Sequence, residues 1–359
     1  MALIGLEDEL MVVDAAGALV AHDFERSWQQ MPSSRDWLKR EMHAATLELL
    51  TDPGSHPSSV LAQLHQRRKL VAEQAMQQEQ RLLAAGLHPT ASPWGQAVHS
   101  HLNPHYAALQ AEYGAVAQGA LSFGLHLHCG LPEPAQRVQL YRLLRERLPL
   151  FIATSANAPF SEGQDTGLAS FRHSWLGRYP RMGVPPDFET PEQAQTHLDR
   201  LRRTGCIHQE AGLWYDLRLH HRLPTVELRA LDAQSDLRRV EHLAAWTLAW
   251  AWMVEQGRAP ALPKATPTPL IEENHWRARR HGASAKLIDW STDSELPLQQ
   301  ALQLEADVLA PALQHLGLRE RFEWGLQGPE PATHQRNTKA ERGWIGLMDQ
   351  LATETLQPC

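Results

Sequence analysis

Cysteine is scarce: among 359 residues only Cys129, Cys206 and Cys359 occur, far apart and without a CxxC spacing. That removes a disulfide framework, a zinc knuckle and a redox pair, and points to a reducing compartment. Long apolar runs are absent too. The longest, Leu243 to Val254, is interrupted by Thr247 and falls short of the roughly 20 residues a membrane span needs. The N-terminal MALIGLEDELMVVD meets its first charge at Glu7, so it lacks the apolar core of a signal peptide, and a cytoplasmic protein without membrane partners is expected. Excess basic charge is missing as well: a net charge of -7 argues against a protein that coats nucleic acid. No repeat, low-complexity tract or Gly/Ser linker marks a boundary, so one domain over residues 1–359 is the expectation. With 43% hydrophobic and 21% charged residues, the composition supports a sizeable core and excludes wholesale disorder.

What the chain does carry is alternation. Leu3 to Asp14 alternates apolar and polar residues and turns at Ala15-Ala16-Gly17-Ala18 into Leu19 to Asp23, which predicts an opening hairpin. From Ser58 to Gly86, Leu61, Leu64, Val71, Ala75 and Leu82 recur at helical spacing, with Ser58 or Ser59 as cap and Gly86 as stop. Leu121 to Leu131 sets Phe123, Leu125, Leu127 and Cys129 against Gly124, His126, His128 and Gly130, a strand with histidines on its working face. A helix around Pro134 to Leu150 leads into Ser155 to Glu189, a Gly- and Pro-rich stretch too long for a simple connection and typical of a binding loop. Strands are expected at Trp214 to His220 and Thr225 to Leu231. A helix from Leu237 to Gln256 follows, its Trp246, Trp250 and Trp252 assigned to the core. The remainder reads as mostly helical, with a short strand near Lys286 to Trp290. Antiparallel sheet plus helices makes an α+β fold.

Glu7 and Glu9 lie two apart on a strand, so their carboxylates share a face and repel unless a cation sits between them; a solvated strand face fits the pair alone equally well. Glu48 stands inside the apolar TLELLT, where an unpaired carboxylate is costly to bury. Glu41 precedes it by seven, an odd interval that puts the two on opposite faces of a regular strand, so Glu41 serves the same site only from a loop or beside a bulge. His126 and His128 share a face between glycines that permit close approach. Glu227 and Arg229 repeat that spacing in PTVELRALD, where a plain surface ion pair is the bland alternative. Taken together, an oxygen-rich donor set suits Mg²⁺ or Mn²⁺ better than zinc.

Six ordered motifs complete the reading: GLEDE at 5–9, ELLTDP at 48–53, GLHLHCGLP at 124–132, SANAPFSEGQDTGLASFR at 155–172, PTVELRALD at 224–232 and NHWRARRHG at 274–282. In content and order they resemble the bacterial carboxylate-amine ligases of the second glutamate-cysteine ligase type, related more distantly to other glutamate-cysteine ligases and to glutamine synthetase. The resemblance implies a curved antiparallel sheet forming a funnel-like active site flanked by helices, of the glutamine synthetase/guanido kinase kind. ATP would enter one end, acid and amine the other, with divalent cations between them. By motif, the metal ligands it implies are Glu7, Glu9, Glu41, Glu48, His126 and Glu227, and the seven-residue gap becomes a shared feature. Arg229, catalytic alongside Glu227, would face the γ-phosphate. Ser155, Asn157 and Arg172 would bind the acid, and Arg277 and Arg280 would reach substrate or nucleotide.

The expected product is an amide, most simply γ-glutamyl, formed through an acyl phosphate from glutamate and an amine, cysteine or another. The cofactors would be ATP and Mg²⁺ or Mn²⁺, and homo-oligomer formation is left open. No side-chain nucleophile is needed, and no nucleophile motif is recognisable. The rivals are a metal-dependent amide hydrolase using His126 and His128, and a non-catalytic ATP-binding regulatory relative. Departures from the family pattern are Cys129 after HxH, His173, the HHR at 220–222 and a trimmed stretch over 87–120.

Overall fold

The computed structural model describes residues 1–99, 103–207, 212–262 and 265–358. Its centre is a seven-stranded sheet built from β1 (Leu3–Asp14), β2 (Leu38–Arg40), β3 (Thr46–Leu50), β4 (Gln80–Leu83), β5 (Gly124–Gly130), β6 (Leu217–Leu219) and β7 (Thr225–Asp232). The order is β6-β7-β5-β1-β3-β2, with β4 also on β1, and every pair in it is antiparallel. The long first strand holds three partners, β5 along Leu3–Asp8, β3 along Glu7–Met11 and β4 along Met11–Asp14.

Alternation decides which face is which. Ile4, Leu6, Asp8 and Leu10 are buried against helices, whereas Gly5, Glu7 and Glu9 turn to the other side, half-buried. The covering layer consists of α1 (Pro57–Met76), on β1, β3 and β4; α2 (Pro134–Ser155), on β6 and β7; and α3 (Leu237–Glu255), on β1 and β5. Outside these lie α4 (Thr268–His281) on α2, α5 (Leu298–His315) on α3, and α6 (Pro331–Thr355) on β4. Trp246 and Trp250 are fully buried, Trp246 stacked on Phe151 at 4.0 Å, and both indole N–H groups donate to Glu305. Asp8, an acid on the helix-facing side of β1, pairs with Arg68 of α1, both side chains completely buried. That guanidinium also donates to the carbonyls of Gln234, Ser235 and Thr355, tying β1 to the start of α3 and the end of α6. Among the described residues no helix is long and apolar enough to cross a membrane.

Several expected boundaries move. The turn after β1 forms, its Asp14 carboxylate accepting from Ala16 and Ala18, but Leu19 to Asp23 adds only one bridge, Val13 to Leu19, because β1 has better partners elsewhere. The helix read over 58–86 begins at Pro57 behind a His56 cap and ends at Met76. Glu79 then takes a left-handed backbone (φ 56°), and Leu82 and Leu83 pair with Val12 and Met11 as a strand. The expected strand from Trp214 divides: Trp214–Tyr215 runs parallel to Met182–Gly183, and Leu217–Leu219 joins the main sheet.

Candidate active site

The register of the sheet lines up the chemistry. Glu9 lies opposite Glu48, Glu7 opposite His126, His128 opposite Glu227, and Glu227 opposite Arg218. Directly opposed residues point to the same face, so these pairs form one row across five strands. His126 Nδ1 is 2.9 Å from one Glu7 oxygen and His128 Nε2 is 3.1 Å from the other. Glu227, wholly buried, accepts a hydrogen bond from Arg218 Nε at 2.8 Å, has Arg218 Nη2 at 2.7 Å in the same ion pair, and also accepts from Arg229. Arg229 sits in an irregularity of β7 between Leu228 and Leu231 and is anchored by its N–H on the Asp216 carbonyl. Glu41 follows β2 outside any regular strand. Three donor groups result, each with ligand atoms within 4.8 Å: Glu7, Glu48 and His126; Glu7, His128 and Glu227; Glu9, Glu41 and Glu48.

The electrostatics divide along this row. Burial raises the Glu7 carboxyl, but hydrogen bonds from His126 and His128 outweigh it and hold the group below the ordinary carboxylate range. Glu227 is likewise held low against burial by Arg229 and Arg218. Among the described residues Glu41 and Glu48 have no such cation in contact. Burial, reinforced by repulsion from Glu9 for Glu41 and from Glu7 for Glu48, pushes Glu41 up to about 8 and Glu48 well above its usual value.

Two cavities open on this face. One of ≈ 280 Å³ is bounded by Glu9, Glu41, His126, Arg172, Asp216 and Arg229, with Tyr106, Tyr179 and Trp214 as an aromatic wall. The other, ≈ 330 Å³, is apolar, floored by Leu3, Gly5, Gly130 and Thr225, and includes Glu7 and His128.

The residues expected to bind the acid part company. Arg172 opens a short helix, Arg172–Leu176, and lines the first cavity; it is buried and its Nε has no hydrogen-bond partner among the described residues. It lies so close over Gly124 that a Cβ there would collide with the guanidinium, which is why the strand has glycine at this point. Ser155 instead closes α2 by donating to the Phe151 carbonyl. Asn157 is held in a buried network with Asp232, Ala233 and Gln335. Neither lines the first cavity. The buried side of α4 is Ile271, Asn274, His275 and Ala278, so Arg277 and Arg280 face outward; Arg277 pairs with Glu273 and Glu295, and Arg280 donates to the Gly167 carbonyl.

Three participants escaped the sequence reading. Arg218 and Asp216 alternate with Leu217 and Leu219, a polar face visible in YDLRL, and His275 fills a position in the apolar stripe of α4. Asp216, His173 and His275 form a further buried cluster beside the first cavity.

The family model for glutamate-cysteine ligase family 2 matches residues 3–328. A glutamate-cysteine ligase from Natronomonas pharaonis is 31% identical over 357 residues, covering 98% of this chain and 95% of that protein. A relative from Rubrobacter xylanophilus, named for glutamate-cysteine ligase 2-3, is 34% identical over 360 residues, covering 98% and 96%. Among solved structures, the glutamate-cysteine ligase from Francisella tularensis in complex with AMP superposes with a TM-score of 0.71 at 13% identity, covering 99% of this chain and 88% of that one. The bifunctional glutathione synthetase from Pasteurella multocida gives 0.72 at 15% identity, covering 99% of this chain, which spans about half of that longer protein (52%). At such identities the superpositions speak for the fold, helices on an antiparallel sheet of this type. The match along most of its length places the chain in glutamate-cysteine ligase family 2, and so among the ATP-dependent carboxylate-amine ligases.

Proposed function

We propose that the protein phosphorylates the side-chain carboxylate of glutamate with ATP and transfers the acyl group to an amine, releasing a γ-glutamyl amide, ADP and phosphate. The observation that carries this reading is the row of carboxylates and histidines lying between an apolar cavity and a polar one that contains Arg172. The apolar floor suits a nucleobase, and the polar cavity suits the acid and amine. In this reading the two cavities would serve as the two mouths of a funnel.

The donor set fits a hard divalent cation. Five carboxylates and two imidazoles fall into three donor groups, and burial together with repulsion between neighbouring acids raises Glu41 and Glu48 beyond what Arg229 offsets, a strain a cation would relieve. Glu7, Glu9, Glu41, Glu48, His126 and Glu227 would hold magnesium or manganese, and its chemistry there is the neutralisation of phosphate charge.

The chain's own groups do the rest. Arg172, buried and unpaired at Nε, clamps a substrate carboxylate. Arg229 presents a fixed cation to charge that spreads over the phosphoryl oxygens as the carboxylate oxygen attacks phosphorus and ADP departs. The amine then attacks the acyl carbon, and phosphate leaves. Glutamate with Mg²⁺ and a panel of amines, cysteine included, should release ADP only when acid, amine and metal are all present. Chelation should stop the reaction and added Mg²⁺ restore it, while amide hydrolysis with zinc and no nucleotide would refute the proposal.

A further inference from the structure

Resting on that ligase reading, we propose that Asp216, steadied by His275, binds a substrate ammonium group, so that Arg172 and Asp216 together recognise an amino acid as a zwitterion. Asp216 lies in the wall of the polar cavity and is only 5% exposed. One of its carboxylate oxygens accepts from His275 Nε2 at 2.8 Å. The other has no hydrogen bond among the described residues; the imidazole of His173, whose Nε2 is buried and unbonded, comes no closer than 3.8 Å. A buried carboxylate with a free oxygen, on a residue that lines a cavity, is an acceptor awaiting a donor. Burial raises its carboxyl, but the His275 hydrogen bond and neighbouring positive charge bring it down to about 2, so it is ionised at neutral pH.

The surroundings select the kind of donor. Arg172 shares the cavity, and the guanidinium of Arg279 also acts on Asp216. A bare divalent cation at the His173, Asp216 and His275 cluster would add charge against both guanidiniums. The α-carboxylate and α-ammonium of an amino acid supply one partner each for Arg172 and Asp216, and their two charges cancel. The ammonium belongs either to the acid substrate or to the amine acceptor, and kinetics can separate the two.

Asp216→Asn keeps the shape and an acceptor for His275 but loses the charge. ADP release should be measured for wild type and variant with L-glutamate, with glutarate (which lacks the α-ammonium), and across acceptor concentrations. If the acid's ammonium is bound, wild type prefers glutamate over glutarate in kcat/KM by about 10- to 100-fold, the worth of one charge-assisted hydrogen bond, and the variant loses that preference. If the acceptor's is bound, the glutamate preference stays and the acceptor KM rises by a similar factor. Either result supports the proposal. A variant that folds, by its thermal melt, with unchanged preference and unchanged KM values overturns it, as does an equivalent of zinc in wild type that the variant lacks. Should Asp216→Asn not fold, His275→Leu carries the test, since a charged but unheld carboxylate must weaken the same preference. Absence of ADP release by wild type with every acid and amine would instead sink the ligase reading, and this proposal with it.

Discussion

Replacing Arg229 by alanine separates a catalytic guanidinium from a decorative one. Were Arg229 and Glu227 a surface pair, losing it would cost about 1 kcal/mol or less. The structure removes that option. Glu227 has no exposed side-chain surface, and the Arg229 side chain is only 19% exposed. Breaking a buried pair leaves an unpaired charge and costs about 3–5 kcal/mol. Glu227 keeps its ion pair with Arg218, with a hydrogen bond from Nε at 2.8 Å and Nη2 at 2.7 Å, so the lower end, about 3 kcal/mol, is expected here. Catalysis should suffer separately. Loss of a fixed cation aimed at the transferring phosphoryl group should lower kcat on the order of 10²-fold or more, and added Mg²⁺ should not recover it. Glu227→Gln is the control: it removes a charge from the metal-facing row, so excess Mg²⁺ should recover part of its rate. Both variants should be assayed for ADP release against Mg²⁺ below their melting temperatures. Near-normal kcat in Arg229→Ala refutes the phosphate role, and equal Mg²⁺ rescue of both variants refutes the division of labour.

Two further outcomes test the scaffold. Arg68→Met strands Asp8 and three carbonyls, so denaturant titration should show a loss of about 3–5 kcal/mol, smaller when Asp8→Leu is added; a single-variant loss below about 1 kcal/mol would refute the hub. Burial raises Asp232 from 3.8 to about 6 despite Arg172 nearby, so the folded state favours the protonated acid, and this contribution is present at low pH and lost as pH climbs through that window. Relative to Asp232→Asn, wild type should therefore lose up to about 3 kcal/mol across it, and a pH-independent difference between their denaturation midpoints would contradict the assignment.

Period-2 alternation made the faces of β1, β5 and β7 legible, and with them the pairing of Glu7 with Glu9 and of Glu227 with Arg229 on one side. Register was not legible by that route. That Glu9 meets Glu48 and Glu7 meets His126 depends on strands far apart in sequence, and only the ordered motifs hinted that they converge. The glycine spacing foretold a close approach, realised by Arg172 over Gly124, without naming the guest. Helical spacing put Arg277 and Arg280 on a common face of α4 but not on an inner one; the stripe of Ile271, Asn274 and Ala278 settles that and carries His275 inward instead. Leu82 matched a helical period by coincidence, because strand pairing with Val12 competes with helix continuation beyond Met76.

The buried pair of Asp8 and Arg68 has a consequence for how the chain finds its alignment. Three acids follow one another at positions 7, 8 and 9, and a strand slipped by one residue would turn Asp8 toward the cavities and bury Glu7 and Glu9 among aliphatic side chains. Hydrophobic alternation opposes the slip, but one guanidinium opposes it more selectively. Arg68 sits where a single carboxylate can reach it, fixed by three backbone carbonyls from two other segments. It thus works as a proofreader for the strand, admitting the shortest of the three acids to the interior and leaving the two longer ones outside for chemistry.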